Sequence, residues 1–209
     1  MGTKGITPGG ISKIYAEKGS KIMGKYVTKT LDDKTYHEII KLIRDGYSCH
    51  NPNPQIATIL VLEANLGCRI GDIIDLRKES FVKDGGIWKI NIKEQKTGKS
   101  RCFIVPKEIK DFIDKWADVN GITTGKLFNV TSQAVWKALR QVTDYLGLEN
   151  ISSHSFRKKA ANTLYEKSGY DIEVVARFLN HSDIRTTRTY IARSDKQMEE
   201  AISKMVSLA

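Results

Sequence analysis

The residues best suited to chemistry lie mostly in the last third of the chain. In HSFR, His154 and Arg157 stand three apart on a helical pattern, so both side chains emerge on one face. Such a pair can grip one phosphate: the guanidinium fork binds two oxygens, and an imidazole gives or takes a proton near neutrality. An isolated H-x-x-R more often caps a helix or makes a surface ion pair, so its weight here comes from its company. Arg69 follows the helix-ending Gly67, Lys96 sits in a polar hairpin turn, and His181 stands nine residues before Tyr190.

These residues need elements to hold them. Asp32 and Asp33 sit where acids favour a helix start, and Tyr36, Ile39, Ile40 and Ile43 recur at helical spacing before Gly46, predicting an amphipathic helix. A more buried helix follows Pro54 through IATILVLEANL and stops at Gly67. In RIGDIIDL, Ile70, Ile73, Ile74 and Leu76 can face a core while Arg69, Asp72 and Asp75 do not. IWKINI and RCFIV read as two strands joined by the turn KEQKTGKS. Helical patterns then follow in KEIKDFIDKWADV, SQAVWKALRQVTDYLG, HSFRKKAANTLYEK, DIEVVARFL and DKQMEEAISKMVSL. The expected fold is mainly α with one small antiparallel β-sheet. Residues 1–30, rich in Gly, Lys, Ser and Thr, read as a flexible basic arm.

The 209 residues are 40% apolar, enough for a real core, and 34 lysines and arginines against 24 acids give a formal charge of +10. That balance suits a polyanionic partner, nucleic acid first. Cys49, Cys68 and Cys102 are scattered, with no C-x-x-C pair, so neither a disulfide framework nor a zinc site is indicated and a reducing cytoplasm is the natural setting. No H-E-x-x-H accompanies the histidines, and His37 and His50 fall outside every motif. No apolar signal core opens the chain, and the longest greasy stretch is interrupted by Glu63 and Asn65.

The segments GCRIGDIIDL, KEQKTGKSRCFIVP, HSFRKKAANTLY and LNHSDIRTTRTYI, in this order and spacing, resemble the tyrosine recombinase or phage integrase family over about residues 30 to 200. The resemblance implies the catalytic-domain fold of that family over residues 31–194. It also implies a catalytic set of Arg69, Lys96, His154, Arg157, His181 and Tyr190, with Asp72 supporting the first arginine. Three positions depart from the usual pattern: Lys158 follows H-x-x-R where histidine is common, Asn180 replaces a glycine before His181, and Asp72 is shorter than the common glutamate.

The implied chemistry is cleavage and rejoining of DNA for site-specific recombination. Tyr190 attacks phosphorus and forms a 3′-phosphotyrosyl link that conserves the broken bond's energy, so no cofactor, ATP or metal is called for. Arg69 and Arg157 absorb charge on the non-bridging oxygens and His181 donates a further hydrogen bond. His154 assists the tyrosine proton, and Lys96 protonates the leaving 5′ oxygen. Lys93, Lys99, Arg140, Lys158, Arg177 and Arg188 are candidate DNA contacts.

The implied partners are double-stranded DNA and further copies of the chain, monomeric when free and tetrameric in synapsis, with an accessory DNA-bending protein as an added candidate. Residues 195–209, with Met198, Ala201, Ile202, Met205 and Val206 on one stripe, form an expected C-terminal helix that docks on its own core or on a neighbouring subunit. Many family members carry a helical core-binding domain ahead of the catalytic region. Only some 30 residues precede it here, so a compact recombinase and a piece of a longer integrase are both open. Two other readings remain: a type IB topoisomerase, with similar tyrosine chemistry on one duplex, and a DNA-binding protein that retains the fold without the reaction.

Overall fold

The computed structural model describes residues 28–191 and Ser203. Most of the expected arm and the whole C-terminal stripe lie outside the described residues. At the start of the described residues the Lys29 N–H donates to the Asn150 carbonyl at 2.9 Å and Leu31 is buried.

Helix α1 (Asp33–Asp45) starts where its acids predict: the Asp32 side chain accepts the Thr35 N–H, and Tyr36, Ile39, Ile40 and Ile43 form the buried face. Helix α2 (Pro54–Leu66) begins with Asn53 capping the Ile56 N–H and is apolar almost all round, as befits a helix with neighbours on several sides. It packs between α1 and α6 (Ser153–Lys167). At its end Gly67 adopts φ 55°, and a Cβ there would lie 2.4 Å from a Phe178 ring carbon. Conformation and close approach therefore both demand glycine.

The short helix α3 (Ile70–Ile74) leads to a three-stranded antiparallel sheet of β1 (Phe81–Asp84), β2 (Ile87–Lys93) and β3 (Ser100–Ile104). The segments IWKINI and RCFIV are the expected strands, β2 and β3, whereas β1 carries no sequence signal of its own because its four residues are too few for a period to register. The turn carried the signal: Asp84-Gly85-Gly86 closes a two-residue hairpin with φ 55° and 85° at the glycines. The remaining helices are α4 (Lys107–Val119), α5 (Ser132–Tyr145), α6, α7 (Ile172–Leu179) and α8 (Ile184–Arg188). One large core joins α1 through α6 and the inner sheet face. A smaller cluster of Ala161, Val175 and Leu179 carries Tyr165, Phe178, Tyr190 and Ile191 on its flank. The fold is thus mainly helical with one small antiparallel sheet, as expected.

Candidate active site

Two helix ends create the centre of the site. Helix α2 ends at Gly67 and α7 at Asn180, each in the left-handed conformation, and each leaves carbonyls without helical partners. Asn180 holds the place of a common glycine because asparagine tolerates φ 55° better than other side chains. The His181 N–H closes the α7 end on the Ala176 carbonyl at 2.9 Å, which aims the His181 side chain back towards α6.

Arg157, fully buried on α6, fills the gap between these ends. Its Nη1 donates to the Gly67 carbonyl at 2.5 Å and its Nη2 to the Leu179 carbonyl at 2.9 Å. Nη2 also lies 3.2 Å from His181 Nε2, and the guanidinium carbon sits 5.8 Å from the Tyr190 ring centre. The His181 and Tyr190 rings are 5.2 Å apart. The Nε–H of Arg157 is buried with no partner among the described residues.

Arg69 approaches from the start of α3. Its Nη1 donates to Glu94 at 2.7 Å, and Thr97 Oγ1 donates to the same carboxylate oxygen at 2.7 Å. Burial alone would raise the Glu94 pKa, but the bonds from Thr97 and Arg69 outweigh it and hold the carboxylate below its usual range. The acid expected at Arg69 was Asp72. That residue is instead buried with Oδ1 accepting the Gln95 N–H at 2.9 Å, and it latches the β2–β3 turn. Gly71 has no Cβ for the same reason, since one would meet the Gln95 side-chain oxygen at 2.7 Å. Glu94 was legible only as one acid among lysines, and nothing in its spacing said that it would turn inwards.

Lys96 is exposed at the turn so latched. His154, open to solvent at the start of α6, has its pKa lowered first by the protein crowding away its water, then by Arg157, Lys96, Arg69 and Lys158. The charges of Arg157, Lys96 and Arg69 all reach His154, and Arg157 and His181 face Tyr190; only His154 and Arg157 lie within a helix, and the other four expected residues stand in the segments between elements. His181 is pushed down to about 4, by desolvation first and then by Arg157 and Arg69, with Glu94 opposing. Three further buried groups were not anticipated. Arg101 is bound to Cys68 Sγ and to the Leu66 and Phe178 carbonyls. Glu63 has neither carboxyl oxygen partnered among the described residues. Thr187 lies beneath His181.

Of the expected DNA contacts, Lys93, Lys99, Arg140, Arg177 and Arg188 are exposed. Arg140 faces Asp144 at 3.6 Å and the Trp136 ring. Lys158 differs: its Nζ donates to the Thr28 carbonyl at 2.6 Å, so this cation ties the entering chain to α6. The arrangement provides two arginines, a lysine and two neutral-leaning imidazoles around a tyrosine, which suits stabilisation of an oxyanion at phosphorus.

The model for the phage integrase family matches residues 29–197. The tyrosine recombinase XerD of Staphylococcus haemolyticus is 25% identical over 202 residues, covering 89% of this chain and 67% of its own length. Among solved structures, a XerH site-specific recombinase bound to difH substrate in a post-cleavage complex has a TM-score of 0.67 at 20% identity, over 86% of this chain and 53% of that one. The catalytic domain of bacteriophage HP1 integrase has a TM-score of 0.59 at 20% identity, over 84% of this chain and 94% of that domain. The chain spans 55% to 67% of the first curated relatives it matches.

Proposed function

This chain belongs to the phage integrase family, and we propose that it forms the catalytic portion of a site-specific DNA recombinase that cuts and rejoins strands through a 3′-phosphotyrosyl bond at Tyr190. The observation that carries this reading is the meeting of Arg157, His181 and Tyr190 at the joined ends of α2 and α7. Arg69 and Arg157 hold the non-bridging oxygens of the scissile phosphate, where a fork binds two oxygens and a lysine cannot. Tyr190 Oη attacks phosphorus while the bond to the 5′ oxygen breaks, and Lys96 supplies the leaving oxygen with its proton. His154, biased towards its neutral form, takes the phenolic proton. The partner is double-stranded DNA, and exchange between two duplexes calls for four copies, each supplying one tyrosine.

The test incubates wild type and Tyr190→Phe with DNA from the source element, quenches with denaturant, and sequences covalently attached fragments. Adducts at a defined sequence with wild type alone are expected; equal adducts with both would remove Tyr190 from its role. Lys96→Ala should slow cleavage by on the order of a hundredfold to ten-thousandfold. A substrate with sulfur at the bridging 5′ position should restore most of that loss, because a thiolate leaves without a proton.

A further inference from the structure

We propose that Thr187 is a positioning residue that sets which nitrogen of His181 faces the reacting centre, by accepting the Nδ1 proton of His181 on its hydroxyl and leaving Nε2 bare towards Arg157 and Tyr190. The inference rests on the recombinase reading of Tyr190 for its catalytic consequence, but the geometry that carries it is independent of that reading.

Thr187 lies on α8 with no exposed surface. A buried hydroxyl is costly unless it is hydrogen-bonded, and this one lies 3.0 Å from His181 Nδ1. On the other side of the ring, Arg157 Nη2 is 3.2 Å from Nε2. A guanidinium carries only donors, so Nε2 must be the acceptor and hold no proton. The neutral ring's one proton then sits on Nδ1 and is donated to Thr187 Oγ1. Burial first, and then the charges of Arg157, Arg69 and Arg101 against Glu94, keep the ring neutral.

The same residue reaches the nucleophile through its main chain, since the Thr187 carbonyl accepts the Tyr190 N–H at 2.9 Å. One residue thus meets the imidazole through its hydroxyl and the tyrosine backbone through its carbonyl. The consequence departs from the expected role of His181. As assembled, it meets the reacting centre as a proton acceptor, and it becomes a donor to a phosphate oxygen only after Nε2 gains a proton.

The experiment is imidazole nitrogen NMR of the full chain at neutral pH, with wild type, Thr187→Val and Thr187→Ser, alongside the rate of adduct formation on DNA. In wild type, His181 is expected protonated at Nδ1 and bare at Nε2. Thr187→Val should populate the Nε2-protonated form and slow adduct formation about tenfold, the rate equivalent of one well-placed hydrogen bond, with DNA affinity within about twofold. Thr187→Ser should restore the wild-type tautomer and most of the rate. A wild-type ring protonated at Nε2, or a Thr187→Val variant with the wild-type tautomer and rate, overturns the proposal. If Thr187→Val does not fold, the wild-type tautomer and the serine variant still decide. If wild type forms no adduct, the recombinase reading falls while the tautomer spectrum still judges the role of Thr187.

Discussion

The two arginines at the site are held in opposite electrostatic states. Arg69 is paired with the buried Glu94, whereas among the described residues Arg157 is hydrogen-bonded only to neutral groups. The nearby buried acid, Glu63, has its pKa raised well above the usual value by burial, with Arg157 pulling the other way. Glu63 therefore makes a pH-dependent contribution to stability that is present below the ordinary glutamate range and is lost as pH rises through its elevated folded value. Urea unfolding between pH 4 and 9 should show Glu63→Gln holding its midpoint at the alkaline end better than wild type. His181 has the opposite sign: its folded pKa of about 4 lies below the unfolded value, so stability is full above about pH 6.5 and declines as pH falls towards 4. NMR titration of the free protein should find this ring neutral until about pH 4. A midpoint near 6.5 would mean that the ring is neither desolvated nor faced by Arg157.

At the scale of elements, two guanidiniums staple consecutive carbonyls of the same two helix ends. Arg157 spans Gly67 and Leu179, and Arg101 from β3 spans Leu66 and Phe178 while stacking 4.3 Å from the Phe103 ring centre. Helix C-termini carry partial negative charge, so buried cations fit there without a carboxylate. Arg101 also donates to Cys68, whose thiol burial pushes up to about 11, so it stays an unreactive thiol. Arg101→Lys replaces the fork by one ammonium, and the loss of buried hydrogen bonds should cost on the order of 2 kcal/mol in denaturant unfolding. The β2–β3 turn is latched separately, by Asp72 on the Gln95 N–H and by Asp75 on the Gln95 side chain. Asp72→Ala leaves that N–H without its acceptor, at roughly 1–3 kcal/mol. Its signature should be faster amide exchange across residues 94–99, with α1 and α2 unchanged; uniform acceleration would mean that the latch is part of the global fold.

For the whole molecule, a formal charge of +10 and exposed cations at Lys93, Lys99, Arg140, Arg177 and Arg188 favour binding led by phosphate contacts. Affinity for duplex DNA should then fall by roughly a thousandfold between 50 and 200 mM salt if about six phosphates are contacted. Titration by fluorescence anisotropy would measure it, and a flat salt response would remove the electrostatic reading. Lys158→Gln should leave that slope nearly unchanged, because its ammonium is engaged with Thr28. The apolar stripe at residues 195–209 lies outside the described residues. If it docks on a neighbour, its deletion should abolish cooperative assembly on DNA while sparing monomer binding.

From the sequence alone one could read the helices with strong periods, such as Asp33–Asp45 and Lys107–Val119, the mainly helical class, and the six residues expected to act. Their types and order along the chain are properties of local pattern and chemistry. Strand β1 escaped because four residues carry too little period, and the resemblance that places Asp72 beside Arg69 does not say which way a carboxylate turns. Only the tertiary structure could decide that Glu94 pairs with Arg69, that Glu63 and Thr187 are buried beside the site, and that Lys158 binds Thr28. These partners lie 25 and 130 positions apart in two of those pairs. What brings them together is long-range packing of segments distant in sequence, which leaves no period in the chain.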